Sequence, residues 1–459
     1  MSKVVILGAG LTGLSTAYHL EKNKFSNYKI FEQDNTPGGL CKSIKQDGFI
    51  FDYTGHLLHI NDEYFKTFLD SALGLENLNL IQRRSFVFSN ETFTHYPFQT
   101  NLYGLPNNVI SECIKGFVNR KTKIRKPKNF HEWVLKHFGN GIGKHFHFPF
   151  QKKLFSYDIK KVLPSWTGRF VPSTSLKSIV EGALEDKAKK VGYNSSFYYP
   201  KSNGIQTLPN LLLRQLQNKV LTNHKVSSID LKNKIVFFEN GHQESYNILV
   251  STLPLNVFLK MSKEKSSTNL KSATNKLVCN SLINFNLGFN VGDLTTKHWI
   301  YVPESKYAFY RIGFWHNFSE NMAPKGHSSL YGEFSHIPGT KTKKQLENLT
   351  QKCVNQTLSI LGLSKQNIVI QKNLHLKHAY VIYDAWREKN LKKLHKKLNE
   401  ESVYSVGRFG EWKYSSMQEA VLDGKIAAET IVNKTFLAAS KTSLEKNIIS
   451  QQDKKEATL

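Results

Sequence analysis

Val4-Val5-Ile6-Leu7-Gly8-Ala9-Gly10-Leu11-Thr12-Gly13, running into the apolar periodicity of Leu14 to Glu21, decides the reading of this chain. A β-branched run that breaks on spaced glycines and opens into a helical pattern is strand, tight turn, helix. Gly8 permits the turn, Gly10 lets a pyrophosphate approach the backbone at the helix N-terminus, and Gly13 lets helix and strand pack closely. The motif alone is common, so its surroundings carry the argument. Tyr28 to Phe31 reads as a second strand, ending at Glu32. That acid lies about 20 residues beyond the glycines, where a carboxylate holds an adenosine ribose. Gln33 follows, and Pro37-Gly38-Gly39-Leu40 supplies a second glycine turn.

With that second turn the segment resembles the FAD-binding, glutathione-reductase-like flavoproteins more than plain nicotinamide dehydrogenases. FAD is therefore the expected cofactor, with Gly8, Gly10, Leu11, Thr12, Gly13, Glu32, Gln33, Gly39 and Leu40 as its first contacts. Such a domain is assembled from separated segments, and the later ones are recognisable. His224 to Asp230 and Lys234 to Phe238 read as short strands, Val226 as a backbone clamp for adenine, and Ile248 to Pro254 as a buried strand ending in a turn. Val403 to Val406 leads into Gly407-Arg408-Phe409-Gly410, and Met417 to Ile431 has helical periodicity. The helix start near Ser416 and Met417 is expected to face the flavin or its pyrophosphate.

The expected fold is α/β. A Rossmann-like FAD-binding domain takes residues 1–60, 200–260 and 400–434, and a mainly helical insertion takes 61–199. An antiparallel-sheet substrate domain takes 261–399, with a helix over Lys344 to Leu361, and a polar tail fills 435–459. A chain of 459 residues with 40% hydrophobic and 12% aromatic residues has an ample core and is no disordered or disulfide-stapled chain. Its four cysteines, Cys41, Cys113, Cys279 and Cys353, stand far apart, which reads as reduced thiols of a cytoplasmic protein. No apolar run reaches the length of about 18 residues that a transmembrane helix needs.

The net charge of +27 draws anions of any kind, from nucleic acid to headgroups to phosphorylated metabolites. Basic clusters stand at Asn119 to Lys128 and Arg387 to Lys397, but most of the charge reads as solvated surface. No nucleic-acid-binding motif accompanies it, so nucleic acid is not the expected partner. Peripheral membrane association and homo-oligomer formation stay open.

Six further segments carry a specific pattern. They are Phe51-Asp52-Tyr53-Thr54-Gly55-His56; Tyr96-Pro97-Phe98-Gln99; Trp166-Thr167-Gly168-Arg169; Asn194 ahead of Phe197 and Pro200; Trp299-Ile300-Tyr301-Val302-Pro303-Glu304 with Phe309-Tyr310-Arg311; and His378-Ala379-Tyr380 with Gly407 to Tyr414. In order and wording these resemble the UDP-galactopyranose mutase family, of the amine-oxidase and protoporphyrinogen-oxidase-like flavoprotein superfamily, over roughly residues 3 to 432. The resemblance implies that Gly55 and His56 lie against the isoalloxazine, and that Tyr96, Phe98, Gln99 and Gln151 line the nucleotide pocket. It implies that Arg169 and Arg311 bind the diphosphate with Asn194, Tyr301, Tyr380 and Tyr414, and that Gly407, Arg408 and Met417 contact the cofactor. It implies a reaction without net redox change: reduced FAD, with NADPH or NADH as reductant, attacks the anomeric carbon through N5, and the sugar recloses as furanose.

The chemistry of the substrate can be argued without the name. A nucleotide sugar leaves as a diphosphate, and fixed cations stabilise the charge that develops. An arginine about 4 Å from it contributes roughly 4 kcal/mol before desolvation at an effective dielectric near 20. Arg169 and Arg311 suit that role through bidentate geometry that a lysine lacks. Tyr301, Tyr380 and Tyr414 can donate O–H bonds to phosphate oxygens. His56 and His59 have no third ligand at a suitable spacing, so no metal is expected; His56 reads as a flavin neighbour and His59 as structural. The run Phe146, Phe148, Phe150 reads as core. No G-x-S-x-G or Cys–His signature offers a protein nucleophile. Two other readings remain: a flavin oxidase or desaturase of the same superfamily, and a basic flavoprotein that only binds an anionic glycan, membrane or nucleic acid.

Overall fold

The computed structural model describes residues 2–186, 195–263 and 270–435. The chain divides into two compact units. The first comprises the described residues of Met1–Gly39, Leu208–Asn275 and Lys393–Leu459, and the second those of Leu40–Thr207 and Lys276–Lys392.

The first unit is built on a five-stranded sheet in the order Val403–Ser405, Ile248–Ser251, Val4–Leu7, Tyr28–Phe31, Val220–Leu221. Every pairing in it is parallel. The central strand is buried along its whole length, which is why it reads as an unbroken apolar run rather than an alternation. Helix Leu11–Lys22 follows it and packs against the helix at 417–435, where Ser15 Oγ donates to Val421 O at 2.5 Å. Gly424 makes that approach feasible, since a Cβ there would stand 2.5 Å from Thr12 O. A second sheet orders Gln243–Ser245, Ile235–Phe238, Val226–Asp230 and Ser262–Lys263.

The second unit centres on a seven-stranded sheet in the order Ile368–Leu376, Ser281–Phe289, Ser328–His336, Arg311–Phe314, Trp299–Tyr301, Ser85–Ser89, Thr92–His95. Its pairings are antiparallel except that Trp299–Tyr301 runs parallel to Ser85–Ser89. One face packs Ile300, Ile312, Phe314 and Phe285 against helix Lys343–Leu361, through Leu346, Cys353, Val354 and Leu358. That helix starts on a capping box of Thr342 and Gln345 and stops at Gly362, whose φ is +66°. The other face carries Trp299 and Tyr331, packed with Phe51, Phe197, Tyr199 and Trp315.

The stretch read as a helical insertion holds helices Asn107–Val118, Phe130–His137, Phe148–Phe155 and Leu176–Leu184. It also supplies two strands of the seven-stranded sheet, Ser85–Ser89 and Thr92–His95, so helices and sheet share a unit. All four cysteines are buried, and none is joined in a disulfide. Among the described residues no helix is long and apolar enough to cross a membrane.

Candidate functional site

In the first unit the opening motif forms a cradle of bare backbone. Gly8 adopts φ +93°, and a Cβ there would stand 2.4 Å from Thr252 Oγ1. Gly13 sits so close beneath it that a Cβ would fall 1.9 Å from Gly8 O. The two glycine turns meet: Gly38 N–H donates to Ala9 O at 2.8 Å, and a Cβ on Gly39 would come within 3.2 Å of Gly10 Cα. Glu32, 7% exposed, accepts from Ala9 N–H at 2.8 Å and from Asp34 N–H at 3.0 Å, which fixes its carboxylate beside the loop. Helix Leu11–Lys22 begins at Gly10 with no side-chain cap and no acid in its first turn. Small residues around an uncapped helix start, with an oriented carboxylate alongside, fit a dinucleotide pyrophosphate and ribose.

The rest of the cofactor set in this unit is placed as follows. Leu11, Thr12, Val226 and Met417 are buried and Gln33 is exposed. Gly407, with φ +80°, abuts Thr12, whose Oγ1 a Cβ would approach to 2.5 Å. Arg408 donates to Ser415 O at 2.9 Å, and its guanidinium lies 5.8 Å from the Tyr414 ring centroid. The helix at 417–435 starts on a cap of the chain's own: Ser416 N–H donates to Glu419 Oε2 at 2.7 Å and Glu419 N–H to Ser416 Oγ at 3.2 Å. Sequence periodicity gave that helix but not its cap.

In the second unit, strand register builds a polar row. Tyr301 pairs with Arg311, Arg311 with Glu333, and Glu333 with Asn284, so all four side chains belong to one face of the sheet. The next row on that face is Trp299, Gly313, Tyr331 and Asn286. Arg311 grips Glu333 in bidentate fashion, Nε to Oε2 at 3.0 Å and Nη2 to Oε1 at 2.8 Å. Burial alone would lower the Arg311 pKa; the Glu333 carboxylate outweighs it and raises the pKa well above its ordinary value. Burial likewise pushes the phenols of Tyr96, Tyr310 and Tyr331 upward, so each is an O–H donor rather than an anion at neutral pH.

Aromatic packing closes around that row. The rings of Tyr96 and Tyr301 lie 4.8 Å apart, Phe150 meets Tyr301 edge-on at 5.3 Å, and Phe146 stacks on both Phe98 and Phe150. Arg83 lies 5.1 Å over the Tyr96 ring. Gly55 presses on the Tyr331 hydroxyl, which a Cβ would approach to 2.2 Å, and the adjoining His56 bonds through Nδ1 to Thr54 O at 3.1 Å. Asp52 anchors the strand leading into that loop, accepting from Ser43 Oγ and Tyr199 O–H at 2.6 Å each. Lys153 Nζ holds the turn between Tyr301 and Arg311 by donating to Glu304 O, Tyr307 O and Phe309 O at 2.7–3.2 Å. Burial brings the Lys153 pKa down to about 7.

Gln99 and Gln151 are buried, and the Oε1 atom of each has no partner among the described residues. Leaving such atoms unpaired costs roughly 1–3 kcal/mol apiece, so each is a candidate contact for a ligand's polar edge. His147 shares the property at both ring nitrogens; burial lowers its pKa to about 3. Leu40 is half-buried at the start of this unit. Tyr380 is half-buried and donates from its N–H to Asn280 Oδ1 at 2.8 Å, while Tyr414 lies in the first unit. Arg169 sits on the short helical turn Gly168–Phe170; its side chain, and Asn194 altogether, lie outside the described residues.

Glu333, Tyr331, Arg83, His147 and Lys153 are the residues that sequence reasoning missed. The signal for Glu333 was present: it is the one acid inside Ser328–His336, an otherwise uncharged strand apart from its terminal histidine. Among the described residues no three His, Cys, Asp or Glu side chains gather as metal ligands.

The family model described as flavin containing amine oxidoreductase matches residues 11–432. Among curated proteins, the chain is similar to coproporphyrinogen III oxidase of Staphylococcus aureus, at 24% identity over 56% of this chain and 61% of that protein. It is similar to the Bacillus subtilis protein of the same name at 23% identity, over 64% of this chain and 68% of that one. Among solved structures, it is similar to a reduced UDP-galactopyranose mutase, with a TM-score of 0.88 and 28% identity over 94% of each chain. Putrescine oxidase bound to putrescine shares the fold, with a TM-score of 0.62 and 12% identity over 94% of this chain and 99% of that one.

Proposed function

The chain belongs to the flavin containing amine oxidoreductase family and so to the FAD enzymes, and we propose that it is a nucleotide-sugar mutase resembling UDP-galactopyranose mutase. It would interconvert pyranose and furanose forms of a sugar held through its diphosphate, with no net redox change. The observation that carries this reading is the row Tyr301, Arg311, Glu333, with the Arg311 guanidinium 5.8 Å from the Tyr331 ring centroid. A guanidinium fixed before the substrate arrives, among protonated phenols, is suited to a phosphoanhydride leaving group. The 28% identity to a mutase over 94% of both chains supports it further.

Reduced FAD, when bound, supplies the electron-rich centre that sugar ring exchange requires. The chain's own groups do the rest. The backbone at Gly8, Gly10 and Gly39 and the start of helix Leu11–Lys22 take the cofactor pyrophosphate, and Glu32 accepts from its ribose. Arg311 binds the substrate diphosphate, Tyr301 and Tyr380 donate to it, and Arg83 adds a second guanidinium beside Tyr96. The Oε1 atoms of Gln99 and Gln151 await the nucleobase edge.

The test is calorimetric titration of UDP into wild-type protein and into Arg311→Ala protein that retains its flavin. Binding should weaken roughly 100-fold, as expected for about 3 kcal/mol of a charge-assisted contact. Unchanged affinity would remove Arg311 from the substrate site. A second reading, net oxidation of a porphyrinogen, is favoured by the names of the curated relatives. Oxygen uptake on addition of coproporphyrinogen III would support that reading instead.

A further inference from the structure

A concave feature of the second unit takes no part in that chemistry. A cleft of about 350 Å³ has Lys115, Arg120, Lys121 and Lys144 in its lining, with Glu112 as the one acid there. That volume lies at the lower end of the roughly 300–1,000 Å³ typical of small-molecule sites. Glu112 is already committed, to Lys144 Nζ at 2.7 Å and His145 Nε2 at 2.9 Å. Among the described residues no carboxylate pairs with Lys115, Arg120 or Lys121.

The cleft is built by backbone contact rather than left over between lysines. Helix Asn107–Val118 meets the turn of helix Gly139–Ile142 so closely that a Cβ on Gly116 would fall 2.4 Å from Gly141 N. A Cβ on Gly141 would fall 2.0 Å from Glu112 O. The Arg120 guanidinium lies 4.1 Å over the Phe117 ring and donates from Nη1 to Phe117 O at 2.9 Å, which sets its orientation without a ligand. Lys121 is tied through its N–H to Leu135 O at 3.0 Å. It opens the basic run Lys121 to Lys128 that no part of the proposed reaction uses.

We propose that this cleft binds a compact anion carrying several phosphate groups. Lys115, Arg120 and Lys121 line it without a carboxylate partner among the described residues, and a cluster of cations that includes a guanidinium suits clustered phosphate oxygens. The same chemistry is offered by a soluble inositol polyphosphate and by a phosphoinositide headgroup, and the experiment separates the two.

Inositol hexakisphosphate is titrated calorimetrically into the full-length flavoprotein with UDP present at saturation, so that the diphosphate site is occupied. Vesicles of phosphatidylcholine with and without phosphatidylinositol 4,5-bisphosphate are tested by cosedimentation. The Lys115→Gln/Arg120→Gln/Lys121→Gln protein should bind roughly tenfold or more weakly, while Lys343→Gln/Lys352→Gln, which removes exposed charge elsewhere, should bind as wild type does. Loss in both assays assigns a lipid headgroup, and loss confined to the soluble probe assigns a soluble ligand. If the triple variant fails to retain flavin, Lys121→Gln alone should still weaken binding roughly two- to threefold. Equal binding by wild type and cleft variants, or an equal loss in the Lys343/Lys352 control, would overturn the proposal and leave only the general attraction of a chain with net charge +27.

Discussion

Arg311 and Glu333 face each other across neighbouring strands and share a bidentate ion pair, with the Glu333 carboxylate fully buried and the Arg311 side chain 18% exposed. The pair orients the guanidinium and also cancels much of its charge. The proposed diphosphate would therefore meet the Nη1 side of the guanidinium, which Glu333 leaves open, as a directed donor more than a bare cation. Removing one partner leaves the other charged in a dry place, which costs far more than replacing both.

Glu333→Gln should lower stability by about 3 kcal/mol. Arg311→Met/Glu333→Leu should recover most of that loss and still leave the protein inactive. Thermal denaturation together with turnover separates the two effects. Recovery of both stability and activity in the double variant would make the pair purely structural.

Gly13→Ala should abolish flavin retention, because its Cβ would sit 1.9 Å from Gly8 O. Glu32→Ala should weaken FAD binding about tenfold to 100-fold, from the loss of roughly 1.5–3 kcal/mol of charge-assisted bonding. Flavin absorbance per protein, measured after dialysis, reads both. Full flavin occupancy in Gly13→Ala would contradict the placement of the cradle.

Asp52 carries a pH signature. Burial raises its pKa from 3.8 to about 6, against the opposing bonds from Ser43, Tyr199 and the Ile205 N–H. Between those values the folded state binds more protons than the unfolded one. The Asp52 contribution is therefore full below pH about 4 and is lost as pH rises through about 6, some 3 kcal/mol in all. Urea denaturation of wild type and Asp52→Asn across that window should show the wild type losing ground to the variant by about that amount. Parallel pH profiles would show an ordinary, ionised carboxylate.

Tyr301→Phe and Tyr380→Phe should each lower kcat about tenfold, or ~1.4 kcal/mol, with flavin content unchanged. A rise in KM with kcat preserved would mean that these hydroxyls hold substrate and transition state equally.

How far the sequence foretold this molecule depends on the range over which each feature is encoded. The run Val4–Leu7 with Gly8, Gly10 and Gly13 writes strand, turn and helix within a few residues, and the structure follows it. Ile248–Ser251 and Val403–Ser405 were legible for the same reason, as short apolar runs ending in turns. The neighbourhood of Arg311 was not, because Glu333 stands beside it through strand register, and register between Arg311–Phe314 and Ser328–His336 is not a local property. The same holds for Ser85–Ser89 and Thr92–His95, which lie among helices in sequence yet complete a sheet begun far along the chain. Lys153 shows a third case: its partners are backbone carbonyls, which no side-chain motif announces.

The most direct measurement is anaerobic incubation of the dithionite-reduced protein with UDP-galactopyranose, with products separated by chromatography and the flavin spectrum followed throughout. The account predicts furanose product at catalytic turnover, none from the oxidised protein, and no net oxidation of the flavin. Absence of furanose from every UDP- and dTDP-hexopyranose, with coproporphyrinogen III oxidised at the expense of oxygen by the same preparation, would contradict it.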